Sequence, residues 1–92
     1  MQKHLSHILV QHRYEAIDIQ NQLKAGKDFA SMARKFSICG SAAQGGYLGC
    51  VALSRLHPDF AEAARNLKEG ELSEIVRTSF GHHLILAHSE AP

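Results

Sequence analysis

One thiol and two imidazoles are the side chains of this sequence best placed to do chemistry. Cys39 lies in F-S-I-C-G-S-A-A-Q-G-G-Y-L-G (36–49), among glycines and small polar residues, between a helical pattern and an apolar one. Loops carried by rigid elements commonly present functional groups, and the Gly45-Gly46 pair lets this one turn through positive φ. His7 and His83 interrupt two apolar runs, L-S-H-I-L-V (5–10) and H-H-L-I-L-A-H (82–88). An imidazole in an apolar strand costs free energy unless it is hydrogen-bonded. Two such strands side by side would let His7 and His83 bond each other. The plainer readings are a small buried hydrophobe at Cys39 and a purely structural histidine pair.

The patterning supplies elements that could hold these groups. Residues 5–10 predict a strand with Leu5, His7 and Leu9 on one face and Ser6, Ile8 and Val10 on the other. Ala16, Ile19 and Leu23 predict a helix over 14–25, with Gly26 just past its end. Asp28 is placed to cap a second helix whose stripe is Phe29, Met32, Ala33 and Phe36, read as core. Tyr47–Leu53 predicts a short strand. Pro58 opens a helix with the stripe Phe60, Ala63, Ala64 and Leu67, ended by Gly70. Residues 73–78 and 82–88 predict two strands joined by a turn at Ser79-Phe80-Gly81, with His83, Ile85 and Ala87 on one face. Strands mixed with helices in so short a chain predict an α+β or α/β sandwich. The first strand leads into helices rather than a tight turn, so it can lie in the sheet centre beside the last.

Composition narrows the function classes. Ninety-two residues make one domain, 1–92, with one core. The formal net charge of +1 provides no field for nucleic acid or anionic lipid, and Lys and Arg are scattered. No apolar run approaches the ~20 residues that span a membrane. Met1-Gln2-Lys3-His4 does not open a signal peptide. For a complete chain this points to the cytoplasm; for a piece of a larger secreted protein it carries no information. Cys39 and Cys50 do not make a disulfide framework. His4, His12, His57, His82 and His88 read as surface or capping residues.

The motifs H-I-L-V (7–10), S-I-C (37–39), G-G-Y-L-G (45–49), P-D-F (58–60) and T-S-F-G-H-H (78–83) together resemble the parvulin-type peptidyl-prolyl cis/trans isomerases. K-A-G-K-D-F-A-S-M-A-R-K-F-S (24–37) and L-K-E-G-E-L-S (67–73) extend the likeness over nearly the whole chain, in order. It is strongest to small bacterial single-domain parvulins. The resemblance implies a parvulin-like (FKBP-like) fold: a four-stranded antiparallel sheet surrounded by about four helices, in the order β-α-α-α-β-α-β-β, the extra helix short and within 40–46. It implies that His7 and His83 are the paired histidines behind the active site, and that Cys39 stands at the family's Cys or Asp position. Thr78 becomes the hydroxyl that hydrogen-bonds into the pair. Leu48, Leu56 and Phe60 become the wall of the proline pocket, with Phe80 beside them in substrate binding. The implied partner is a proline-containing segment of a client protein, bound by a monomer with no cofactor and no metal.

The sequence departs from the family at Tyr47, where Asp is usual, at Cys50 and Val51, at Leu53-Ser54, and at His82, where Tyr is frequent. The phosphate-directed branch carries a long basic loop after the first strand. Here only Gln11-His12-Arg13 follows it, so phosphate selectivity is not expected. The competing class is a parvulin-fold module that holds proline-containing or apolar segments without useful catalysis. A thiol hydrolase would need an oxyanion hole and an orienting partner, which have no local signature. A metal site would need spacing such as C-x-x-C or H-x-x-x-H, and His82 and His83 point to opposite faces of a strand.

Overall fold

The computed structural model describes residues 2–88. The chain runs β1 (Gln2–Val10), α1 (Arg13–Lys24), α2 (Phe29–Phe36), a 3-10 turn (Gly40–Gln44), β2 (Tyr47–Ala52), a second 3-10 turn (Leu53–Arg55), α3 (Pro58–Arg65), β3 (Val76–Thr78) and β4 (Gly81–Ala87). The four strands form one antiparallel sheet in the order β2-β1-β4-β3. β1 and β4 are therefore central, as the connection pattern predicts. The expected short helix at 40–46 is the first 3-10 turn, so the helical complement among the described residues is three α-helices and two 3-10 turns.

The period of two along β1 builds a core on each face. Leu5 packs with Leu53, Phe60, Ala61, Ala64, Ile85 and Ala87 under α3. Ile8 and Val10 pack with Ala16, Ile19, Met32, Ala33 and Leu84 under α1 and α2. His7 lies between Leu5 and Leu9 and so belongs to the α3 side.

Local signals set most boundaries. Asp28 accepts hydrogen bonds from the Ser31 N–H and hydroxyl, both at 3.0 Å, and starts α2. At the start of α1, the His12 N–H donates to Glu15 Oε1 at 3.1 Å. The Lys3 ammonium donates to the carbonyls of Ala64, Arg65 and Leu67 at 2.7–2.9 Å. It thereby satisfies acceptors left free as α3 ends and ties that helix to the first strand.

Three expectations change. Phe36, assigned to the core stripe of α2, is 38% exposed. It sits at the last residue of the helix, with the Lys35 ammonium 5.4 Å from its ring centre. α3 stops at Arg65, with Asn66 as its cap, rather than running on to Gly70. Leu67 still packs on the core from the following turn. The predicted strand 73–78 is regular only over Val76–Thr78, preceded by a single bridge between Leu72 and Leu86. There the Ser73 hydroxyl accepts the Ile85 N–H at 2.9 Å and donates to the Glu74 carbonyl at 2.7 Å. A side chain thus stands in for the backbone and interrupts the ladder.

Candidate active site

His7 and His83 are diagonal neighbours on the central strand pair: His7 pairs with Ile85, and Leu9 with His83. Their rings are nearly parallel, 17° apart, and Nδ1 meets Nδ1 at 3.2 Å. Thr78, at the end of β3, holds His83 Nε2 at 2.7 Å. The Phe80 N–H donates to the Thr78 hydroxyl oxygen at 3.1 Å, which fixes the hydroxyl within the Thr78–Gly81 turn. His7 Nε2 is buried and, among the described residues, ends this array without a partner.

A neutral imidazole has one N–H, so the array permits two protonation patterns. In one, the Thr78 hydroxyl donates to His83 Nε2, His83 Nδ1–H donates to His7 Nδ1, and the His7 proton sits on Nε2. In the other, every bond reverses and the Thr78 proton has no acceptor in the array. The first pattern leaves fewer polar groups unpaired and is the one assigned here. A further proton on His7 would set two N–H groups against each other across 3.2 Å, and one on His83 would make Nε2 a second donor, so that the Thr78 hydroxyl would have to accept rather than donate. Burial lowers the pKa of His7. Burial, then the neighbouring charges of His7, His57 and His82, lowers that of His83 from 6.5 to about 4. Both rings are neutral at physiological pH.

The loop carrying Cys39 is stitched to the end of β1. The Leu9 N–H donates to the Ser37 hydroxyl at 3.1 Å, the Ile38 N–H donates to the Leu9 carbonyl at 2.8 Å, and the Cys39 N–H reaches the same hydroxyl at 3.4 Å. The loop returns to β1 through the His7 N–H, which donates to the Gly46 carbonyl at 2.9 Å. Gly46 has φ +82°, and a Cβ there would collide with the His7 carbonyl. Only glycine lets the backbone pass this close to the histidine.

These elements enclose a cleft of about 340 Å³ lined by His7, Leu9, Cys39, Leu48, Leu56, His57, Phe60, Phe80 and His83. The lining is overwhelmingly apolar. Phe60, from α3, is buried and stands edge-on to both imidazoles, with ring centres 5.5 Å from His7 and 5.2 Å from His83. Phe80 is 67% exposed and forms the rim. The Cys39 thiol is half-buried, and among the described residues it hydrogen-bonds neither imidazole. An apolar cleft with one thiol and a neutral polar array suits an apolar cyclic side chain and the amide attached to it.

Every residue singled out from the sequence lies in this cleft or, like Thr78, directly behind it. Sequence reasoning missed two lining residues. Leu9 lies two positions after His7 on the same strand face, a signal that was available. His57 was read as a surface or capping residue; it does cap α3, and it also lines the cleft. His82 points away from the cleft and bonds the Gln11 carbonyl at 3.2 Å. Among the described residues no group of three or more His, Cys, Asp or Glu side chains is placed to hold a metal ion. Nor is any helix among them long and apolar enough to cross a membrane.

Fold and cleft together are those of a rotamase of the parvulin type. The chain belongs to the PPIC-type PPIase (rotamase) domain family, whose model matches residues 7–89. It is 43% identical over 94 residues to the chaperone SurA of Burkholderia orbicola, covering 92% of this chain and 21% of that protein. It superposes on the crystal structure of PrsA from Bacillus subtilis with a TM-score of 0.93 and 37% identity, over 97% of this chain and 35% of the other. The parvulin of Nitrosopumilus maritimus gives a TM-score of 0.86 and 37% identity over 96% of both chains. The chain thus spans about a fifth of the length of the curated SurA relative.

Proposed function

We infer that this chain catalyses cis/trans isomerisation of X-Pro bonds in extended or unfolded protein segments, without covalent chemistry and without preference for phosphate. The observation that carries this reading is the neutral Thr78–His83–His7 array behind an apolar cleft that has the Cys39 thiol in its wall. Rotation about X-Pro faces a barrier of roughly 18–20 kcal/mol, which comes from amide resonance. No bond need break, so no strong nucleophile is required. The planar amide is the charge-separated form, and a dry wall disfavours it relative to the twisted state. Interactions that strengthen only on twisting lower the barrier.

In this reading Leu48, Leu56 and Phe60 take the prolyl ring, and Phe80 closes over it from the rim. Cys39 meets the carbonyl before proline as its double-bond character changes. His7 and His83 form a polar but uncharged floor, and Thr78 is a positioning residue that fixes the direction of the array. The relatives named chaperone SurA and foldase PrsA support clients that are unfolded or extended segments.

The second reading is a module that binds such segments with little catalysis. The exposed Phe80 ring favours it, because an aromatic rim serves binding as well as turnover. Protease-free NMR exchange on a panel of X-Pro peptides separates the two. Catalysis appears as cis/trans exchange cross-peaks that grow with the protein at sub-stoichiometric ratio. Shift changes without exchange would leave only the binding module.

A further inference from the structure

His57 occupies two environments at once. Its Nδ1 accepts the Asp59 N–H at 3.2 Å and so caps α3, and its side chain is partly buried in the wall of the cleft. A nitrogen that accepts a hydrogen bond carries no proton, so the proton of the neutral ring must sit on Nε2. If the ring gains a second proton, Nδ1–H has the Asp59 carboxylate 4.0 Å away, and Nε2–H remains a donor. The cap thus guarantees an N–H on the free edge of the ring in either state. Among the described residues Nε2–H has no acceptor. Of the other polar groups of the cleft, the imidazoles of His7 and His83 bond each other through Nδ1, the remaining N–H of His7, on Nε2, is buried away from the opening, and the third group is the thiol of Cys39.

We propose that His57 Nε2–H is a substrate-binding donor that receives a main-chain carbonyl of the peptide beside the prolyl ring, and so sets the direction in which the chain lies across the cleft. A carbonyl is the fitting acceptor because every X-Pro segment has one. A side-chain carboxylate would meet the adjacent Asp59 charge. The apolar wall contributes depth but no direction, since Leu9, Leu48, Leu56, Phe60 and Phe80 would accept a ring in either orientation. The proposal rests on the prolyl-isomerase reading and assigns to it a residue that sequence reasoning had placed on the surface.

The test uses two substitutions that divide the ring between its nitrogens. His57→Asn keeps an acceptor at the Nδ1 position, and asparagine is a good cap, but it lacks the outer donor. His57→Gln reaches the Nε2 position with an N–H and gives up the cap. The expected result is that His57→Asn melts like the parent while its KM for Ala-Ala-Pro-Phe peptides rises about three- to tenfold, the worth of one hydrogen bond. His57→Gln should melt lower but keep a KM near that of the parent. A parental KM in folded His57→Asn overturns the proposal, as does a KM loss in both variants that simply follows their melting temperatures. If the parent itself accelerates no exchange, the isomerase reading fails as well. If the parent is active and His57→Asn matches it, only the role of His57 fails.

Discussion

The Nδ1 atoms of His7 and His83 lie 3.2 Å apart, and this spacing forbids a proton on both. Burial lowers the pKa of both rings as well, so the histidine pair is an uncharged polar element in an otherwise apolar wall. Its stability and its function follow from the same constraint.

The first consequence is a dependence of stability on pH. Both folded-state pKa values are lowered, His83 to about 4, so the unfolded chain takes up protons first as pH falls. The contribution of the pair is fully present above about pH 6.5 and is lost as pH falls toward 4. Allowing for solvent that reaches the cleft side, the loss from His83 is on the order of 2 kcal/mol. Urea unfolding measured from pH 7 down to 4.5 should show this decline. The double variant His7→Phe/His83→Phe should flatten it; equal slopes in the two proteins would refute the assignment.

In the proposed reading Cys39 acts by position and polarity. The resemblance allows Asp at this site, which is no thiol nucleophile, and the thiol bonds neither imidazole. Cys39→Asp is expected to keep substantial exchange activity and Cys39→Ala to lose more, both with melting temperatures near that of the parent. His7→Ala or His83→Ala should lower rate and melting temperature together, because each leaves a buried polar partner unpaired at about 1–3 kcal/mol. A covalent adduct trapped on Cys39, together with an inactive Cys39→Asp, would overturn the non-covalent account.

Phe60 belongs both to the lining of the cleft and to the core. It is buried and meets both histidines edge-on. Phe60→Ala should cost ~3 kcal/mol of stability and remove most of the activity. Calorimetry with peptide exchange measured well below the melting temperature checks both parts. Parental exchange rates in the folded variant would take Phe60 out of the site.

Gly46 is expected to be as sensitive as a catalytic residue although its lack of a side chain gives it no chemistry. Gly46→Ala must relieve a collision with the His7 carbonyl and strain a φ of +82°. The loss should exceed the ~1 kcal/mol of an ordinary glycine-to-alanine exchange at positive φ. Gly40→Ala, where a Cβ meets nothing within 4 Å, is the control. Equal melting temperatures for the two variants would contradict the close approach.

Phosphate should bring no advantage. Only Gln11 and His12 separate β1 from α1, leaving no basic loop there. Peptides with phospho-Ser before proline should be turned over no faster than Glu-Pro peptides. A hundredfold preference for phosphate, equivalent to ~2.7 kcal/mol, would show that an anion site exists elsewhere on the rim.

The strand faces were legible in the sequence because a period of two leaves no choice: once Leu5 is inside, His7 and Leu9 share its side. Helix starts were legible where a local cap exists, as at Asp28 and Pro58. Motif resemblance, rather than periodicity, brought Cys39, Thr78, Leu48 and Leu56 to one site, since nothing in their spacing says that they meet. Phe36 escaped because a helical stripe shows which face is apolar but not how far along the helix that face stays covered. Ser73 escaped because a hydroxyl that replaces a backbone carbonyl looks like any other serine. The close passage of Gly46 against His7 and the double placement of His57 were decided by tertiary structure alone. Both depend on contacts between segments far apart in the chain, and local sequence carries no record of which surfaces such segments present to each other.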